Sequence, residues 1–136
     1  MINVLYGEKG KGKTKLLVEQ ANSMVETCPG HVVFIDDSND LMYKLNRNIR
    51  FINVLEFPIA DENGFLGFLC GIVSQNYDIK RIFIDGLTYI VKCQAGHLED
   101  FFGRLKEVSE KFEVDFVISI NGSESDRPEF LNEFTV

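Results

Sequence analysis

Residues 7–14 read Gly7-Glu8-Lys9-Gly10-Lys11-Gly12-Lys13-Thr14, a run whose residue types and spacing suit one kind of chemistry. Glycines let a backbone turn tightly and bring its N–H groups onto an anion without side chains in the way. The run fits G-x-x-x-x-G-K-[ST], the Walker A pattern, in which the lysine contacts the β- and γ-phosphates and the hydroxyl ligates Mg²⁺. A helix opening at Lys13 would aim its unsatisfied N–H groups and positive dipole end at the same anion. Gly7 to Thr14 is therefore the candidate nucleotide-binding element, centred on Lys13, with Thr14 as a candidate Mg²⁺ ligand. Lys9 is a candidate for an additional phosphate contact, whereas the side chains of Lys11 and Lys15 read as solvated.

The second chemical element is Ile82-Phe83-Ile84-Asp85, an apolar run ending in an acid. That is the Walker B form, whose Asp holds Mg²⁺, so Asp85 joins Thr14 as a candidate metal residue. Hydrolysis would further need a group that orients water, and Asp85-Gly86-Leu87 has no Glu after the metal-binding acid. Asp36 and Asp37, at the end of another apolar run, are the candidate catalytic pair, though both also fit the acidic first turn of a helix. Glu56 is a weaker candidate; Arg104 and Arg127 are the arginines weighed as a positive finger toward a γ-phosphate. Asn121 could contact that phosphate or cap a turn with Gly122. His31 and His97 lack metal-ligand spacing and read as surface residues. These parts predict binding of a nucleoside triphosphate with Mg²⁺, and at most slow hydrolysis.

The elements that must position these residues follow from periodicity. Strands are expected at Ile2 to Tyr6, Val32 to Ile35, Arg50 to Leu55, Arg81 to Asp85 and Asp115 to Ile120. Helices are expected from about Lys13 to Cys28, ended by Pro29-Gly30, over Asn39 to Leu45 with Ser38 as N-cap, from about Glu62 to Gln75, and from about Gly96 to Phe112. Near-continuous apolar strands alternating with helices predict an α/β fold: three layers, a mostly parallel five-stranded sheet, helices on both faces. In such sheets ligands bind beyond the carboxyl ends of the strands, where the acids and the glycine-rich turn fall.

Composition narrows the classes. At 136 residues the chain is expected to form one domain over 1–136, with a core of about 1–122 and a short tail of 123–136. The net charge of -7 argues against direct nucleic-acid binding, which needs a basic surface. The longest apolar stretch, around Phe65 to Val73, is about half of the ~20 residues a membrane span needs. MINVLYGEKG lacks a signal-peptide pattern, and Cys28, Cys70 and Cys93 lack CxxC spacing, so a cytoplasmic protein with reduced thiols is expected.

Taken in order, GEKGKGKT, VVFIDDSNDLMYKL, IKRIFIDGLTYI and VDFVISING resemble the core of the RecA-like branch of P-loop NTPases over Met1 to about Gly122. The resemblance implies a RecA-like strand order, with the last strand inserted between the Walker A and Walker B strands, and ATP as the nucleotide. No guanine-reading Asn-Lys-x-Asp motif is present. That family carries a catalytic Glu just after its second strand, where this chain has Ser38 beside Asp36 and Asp37. The segments after Leu87 and Asn121 are short, without the family's DNA-binding loops. The chain is also similar to short Firmicute P-loop proteins labelled twitching-motility (PilT-like) ATP-binding proteins, which implies nucleotide binding; the second domain of a retraction motor has no counterpart here. Two alternatives stand beside an ATPase. One is a nucleotide-gated adaptor without turnover, a homo-oligomer or the binder of a protein partner through Gly64, Gly67 and Gly71; the other is a small-molecule kinase, disfavoured by the lack of an arginine-rich lid.

Overall fold

The computed structural model describes residues 1–27 and 30–135. Five strands, β1 (Ile2–Gly7), β2 (His31–Asp36), β3 (Arg50–Asn53), β4 (Ile79–Ile84) and β5 (Asp115–Asn121), form one sheet. Every pairing is parallel and the order is β1-β5-β4-β2-β3, so β5 lies between β1 and β4. Among the described residues four α-helices connect or cover them: α1 (Lys13–Thr27), α2 (Glu62–Gln75), α3 (Leu87–Val91) and α4 (Glu99–Phe112).

The strands are apolar throughout because both of their faces are covered. Val32 and Phe34 of β2, Phe83 of β4 and Val117 of β5 pack with Leu17, Val18 and Ala21 of α1. Val33, Ile35, Ile82, Ile84, Phe116 and Ile118 point the other way and pack with α2, α3 and α4. Phe34 and Phe83 stack at 6.1 Å between neighbouring strands on the α1 face. The alternation of faces along a strand fixes its register, since a one-residue slip would exchange the two cores.

Three expectations change. Asn39 to Leu45 forms no α-helix: Ser38 Oγ accepts from the nearby Asp40 N–H, and only one turn, Met42–Lys44, follows. Asn22 of α1 holds this segment from the side, donating to the Lys44 carbonyl at 3.0 Å and accepting from the Asn46 N–H at 2.7 Å. Such side-chain bonds to backbone compete with helical ones. β3 stops at Asn53, whose Oδ1 accepts from the Leu55 N–H and starts a turn over Val54–Glu56. Periodicity also gave no helix over Leu87–Val91, which at five residues is too short to show one. The Cys28-Pro29 stop expected for α1 lies outside the described residues.

Residues 123–135 are built into the core rather than trailing from it. Val4 donates to the Phe134 carbonyl at 2.9 Å, and Val4 pairs with Thr135 in parallel, so this strap covers part of the outer edge of β1. Phe130 and Phe134 pack on Phe102 of α4, and Leu131 is fully buried. Leu131→Ala should cost about 2–5 kcal/mol, the range for deleting a buried leucine side chain. Urea unfolding checks this; an unchanged midpoint would mean that the strap adds nothing to the fold.

Candidate functional site

Parallel strands bring all of their carboxyl ends to one edge of the sheet. Register pairs Gly7 of β1 with Asn121 of β5, and the Asp85 N–H bonds to Ile35 next to Asp36. The glycine-rich turn leaves β1 at this edge and returns as α1. Gly10 and Gly12 have φ of 88° and 82°, the left-handed region that side chains disfavour. The Leu16 N–H bonds to the Gly12 carbonyl, so α1 begins as the loop ends. The Lys13 ammonium folds back and donates to the Glu8 carbonyl at 2.7 Å, closing the loop on itself. Burial holds that ammonium below its ordinary pKa, with Asp85 opposing the shift.

Thr14 and Asp85 meet across the site. The Thr14 Oγ1 lies 3.1 Å from both Asp85 carboxylate oxygens. A third residue fixes the acid: Ser119 of β5 donates to Asp85 Oδ1 at 2.7 Å while its Oγ accepts from the Gly86 N–H at 2.8 Å. Ser119 is 2% exposed and was not singled out from the sequence. The signal was there, as a lone polar residue inside the apolar run Val117-Ile118-Ser119-Ile120, where a buried polar group needs partners.

Asp36 is 5% exposed and its Oδ1 accepts from the Asp37 N–H at 2.8 Å. Burial pushes its carboxyl up to about 7, and the nearby charges of Asp85 and Asp37 push the same way. A cleft of about 630 Å³ is lined by Lys9, Gly10, Gly12, Lys13, Thr14, Asp36, Asp37, Asp85 and Asn121 of the expected set. Tyr89 of α3 also lines it, unforeseen because the short helix that carries it was.

Other expected residues fall elsewhere. Gly7 and Lys11 line a separate cleft on the opposite flank of the loop. Glu8 serves through its carbonyl. Glu56 is exposed in its turn and does not line the cleft. Arg104 sits on α4 in an exposed pair with Asp100 at 3.1 Å. Arg127 lines the same flank as Gly7 and Lys11, not the acid-lined cleft. His31 bonds Asn76 at the amino end of β2, at the far edge of the sheet, and His97 is exposed. Gly67 and Gly71 face open space on α2 while Phe65, Leu66, Leu69 and Val73 take its buried face.

A five-stranded, all-parallel α/β sheet with a glycine-rich turn at the carboxyl edge defines the class. No family model matches the chain, and no curated protein matches it. Among solved structures it is similar to the crystal structure of flagellar accessory protein FlaH from Methanocaldococcus jannaschii. The TM-score is 0.62 at 13% identity, over 97% of this chain and 65% of that chain. A likeness at that identity concerns fold, and it supports a RecA-like fold. The chain spans 65% of the length of FlaH. Among the described residues no helix is long and apolar enough to cross a membrane.

Proposed function

We propose that the chain binds ATP, or a related nucleoside triphosphate, together with Mg²⁺ in the acid-lined cleft, and turns it over slowly at most. One observation carries this reading: the Thr14 hydroxyl stands 3.1 Å from both oxygens of Asp85, at the first turn of a helix that follows a glycine-rich loop. Helix N-termini and inward backbone N–H groups favour phosphate, and a hydroxyl–carboxylate pair beside them suits a hard cation.

The donor set fits Mg²⁺. Mg²⁺ takes oxygen ligands, few of them from protein, and keeps waters and phosphate oxygens for the rest. Among the described residues no three His, Cys, Asp or Glu side chains group as a metal site, so the protein share here is Thr14 and Asp85. Ser119 leaves Asp85 Oδ2 for that purpose, holding Oδ1 alone. When bound, Mg²⁺ would neutralise phosphate charge. Lys13 would exchange the Glu8 carbonyl for phosphate oxygens, and Asn121 would donate to the terminal phosphate. Asp36 would orient water, since a carboxyl near pH 7 can accept a proton at working pH. Arg104 and Arg127 lie outside this cleft, and a missing finger lowers phosphoryl transfer by about 10³–10⁵.

Asp85→Asn tests the reading, because Asn still accepts from Ser119 and so keeps the local frame. In wild type, Mg²⁺ should tighten ATP at least about tenfold, the scale of one charge-assisted contact. Asp85→Asn and Thr14→Ala should each remove most of that gain. ATP affinity indifferent to Mg²⁺ in all three proteins would overturn the assignment.

A further inference from the structure

The phosphate loop has two flanks. One carries Asp36 and Asp85; on the other, between the loop and the strap of residues 123–135, lies a second cleft of about 250 Å³. The two clefts share Gly12 and Lys13 and no other lining residue. For a ligand whose terminal phosphate sits at the acids, the way over Gly12 and Lys13 leads to the strap side, where Tyr6, Lys11, Leu16 and Arg127 line the wall.

Arg127 is held in place there. Its Nη1 bonds Glu124 Oε1 at 3.3 Å, its Nη2 bonds Thr135 Oγ1, and its guanidinium carbon lies 6.0 Å from the Tyr6 ring centre. Tyr6 in turn donates to the Ser123 carbonyl at 2.9 Å. Gly122 leaves room for that ring, since a Cβ there would lie 2.6 Å from Tyr6 Cζ. The Arg127 Nε is buried and has no hydrogen-bond partner among the described residues. Buried donors are nearly always satisfied, and this one is left over in the wall of the cleft, while Nη1 and Nη2, each with two N–H groups and one bond to the described residues, keep donors for a ligand. Leu16, in the first turn of α1, keeps 42% of its surface exposed and lines the same cleft. A fixed cation, a tyrosine ring and an exposed leucine suit a flat heterocycle and sugar joined to phosphate; a bare phosphate chain would use only the charge.

Resting on the proposed ATP site, we infer that Arg127 reads the nucleoside end of the ligand, and that the strap makes the chain selective for nucleoside triphosphate over inorganic tripolyphosphate. Arg127 is thus a specificity residue on the sugar and α-phosphate side, and not a finger toward the γ-phosphate.

The test titrates ATP and inorganic tripolyphosphate, each with Mg²⁺, into wild type, Arg127→Gln and Leu16→Ala. Wild type should bind ATP about tenfold or more tighter than tripolyphosphate, the scale of one hydrogen bond to a charged group plus an apolar contact. Arg127→Gln should lose most of that margin, weakening ATP more than it weakens tripolyphosphate, which has only the charge contact to lose. Leu16→Ala, altered at an exposed side chain and so expected to fold, should weaken ATP alone by a few-fold. Should Arg127→Gln not fold, Arg127→Lys, which keeps the charge and loses the planar fork, should lose the margin in its place. An unchanged ATP preference in Arg127→Gln and Leu16→Ala, or equal weakening of both ligands, would overturn the inference, as would a wild type that binds the two ligands equally. A wild type that binds neither would instead remove the ATP reading, and this one with it.

Discussion

Lys13→Ala is expected to bind Mg²⁺-ATP at least about a hundredfold more weakly than wild type, while melting close to the wild-type temperature. The Lys13 carbon chain runs back over the loop, with its Cδ 3.9 Å from where a Gly7 side chain would begin. The ammonium's bond to the Glu8 carbonyl is to a neutral acceptor on an exposed loop. Losing that bond costs little, because the carbonyl can turn to water. Losing two charge-assisted bonds to phosphate would cost about 3–5 kcal/mol in binding. Burial lowers the Lys13 pKa, so the free loop carries its charge at some expense that a bound polyphosphate would relieve. Calorimetric titration with a parallel thermal melt separates the two effects. Equal ATP affinity in the two proteins would show that the ligand does not use this loop.

The largest effect of pH is expected at Asp36. Its carboxyl is raised from 3.8 to about 7, burial being the main cause. In the unfolded chain the group gives up its proton near 3.8, whereas in the folded chain it holds the proton until about 7. The folded state therefore binds more protons between those values, and stability falls as pH rises through them. What Asp36 contributes is complete below about pH 4, is lost as pH climbs to about 7, and is level beyond. Asp36→Asn escapes the penalty, being neutral at every pH and similar in shape. In Mg²⁺-free buffer its stability advantage over wild type should grow by about 2–3 kcal/mol between about pH 5 and pH 8. Urea midpoints at the two pH values check this; an advantage independent of pH would show that Asp36 ionises normally in the fold. The same variant should lose whatever ATP turnover wild type has, since an amide cannot accept the proton of an attacking water. More stability with less activity is the pattern of a strained functional group.

Much of this site is legible in the sequence. Spacing alone marked Gly7 to Thr14, and the end of an apolar strand marked Asp85, because both depend on local chain chemistry. Parallel topology then brings them together, and alternation of apolar strands with helices is enough to imply that topology. What escaped the sequence depends on distant pairing. Ser119 acquires its role only when β5 lies beside β4, where it reaches Asp85 across 34 positions of chain. The helix expected over Asn39 to Leu45 gave way to bonds from Asn22, a residue of another element. The polar run after Gly122 read as a tail, yet three residues of it, Phe130, Leu131 and Phe134, join the core. Its Arg127 lines the strap-side cleft and not the acid-lined one, and nothing local in the sequence says on which flank of the loop a strap will lie.

The most direct test is a crystal structure of the chain with Mg²⁺ and a non-hydrolysable ATP analogue. The account predicts the triphosphate enclosed by the backbone of Gly7 to Thr14, the cation between Thr14 and Asp85, Asp36 facing the terminal phosphate, and the nucleoside beside Arg127. A triphosphate held by other residues, with Lys13 still bonded to the Glu8 carbonyl, would contradict it.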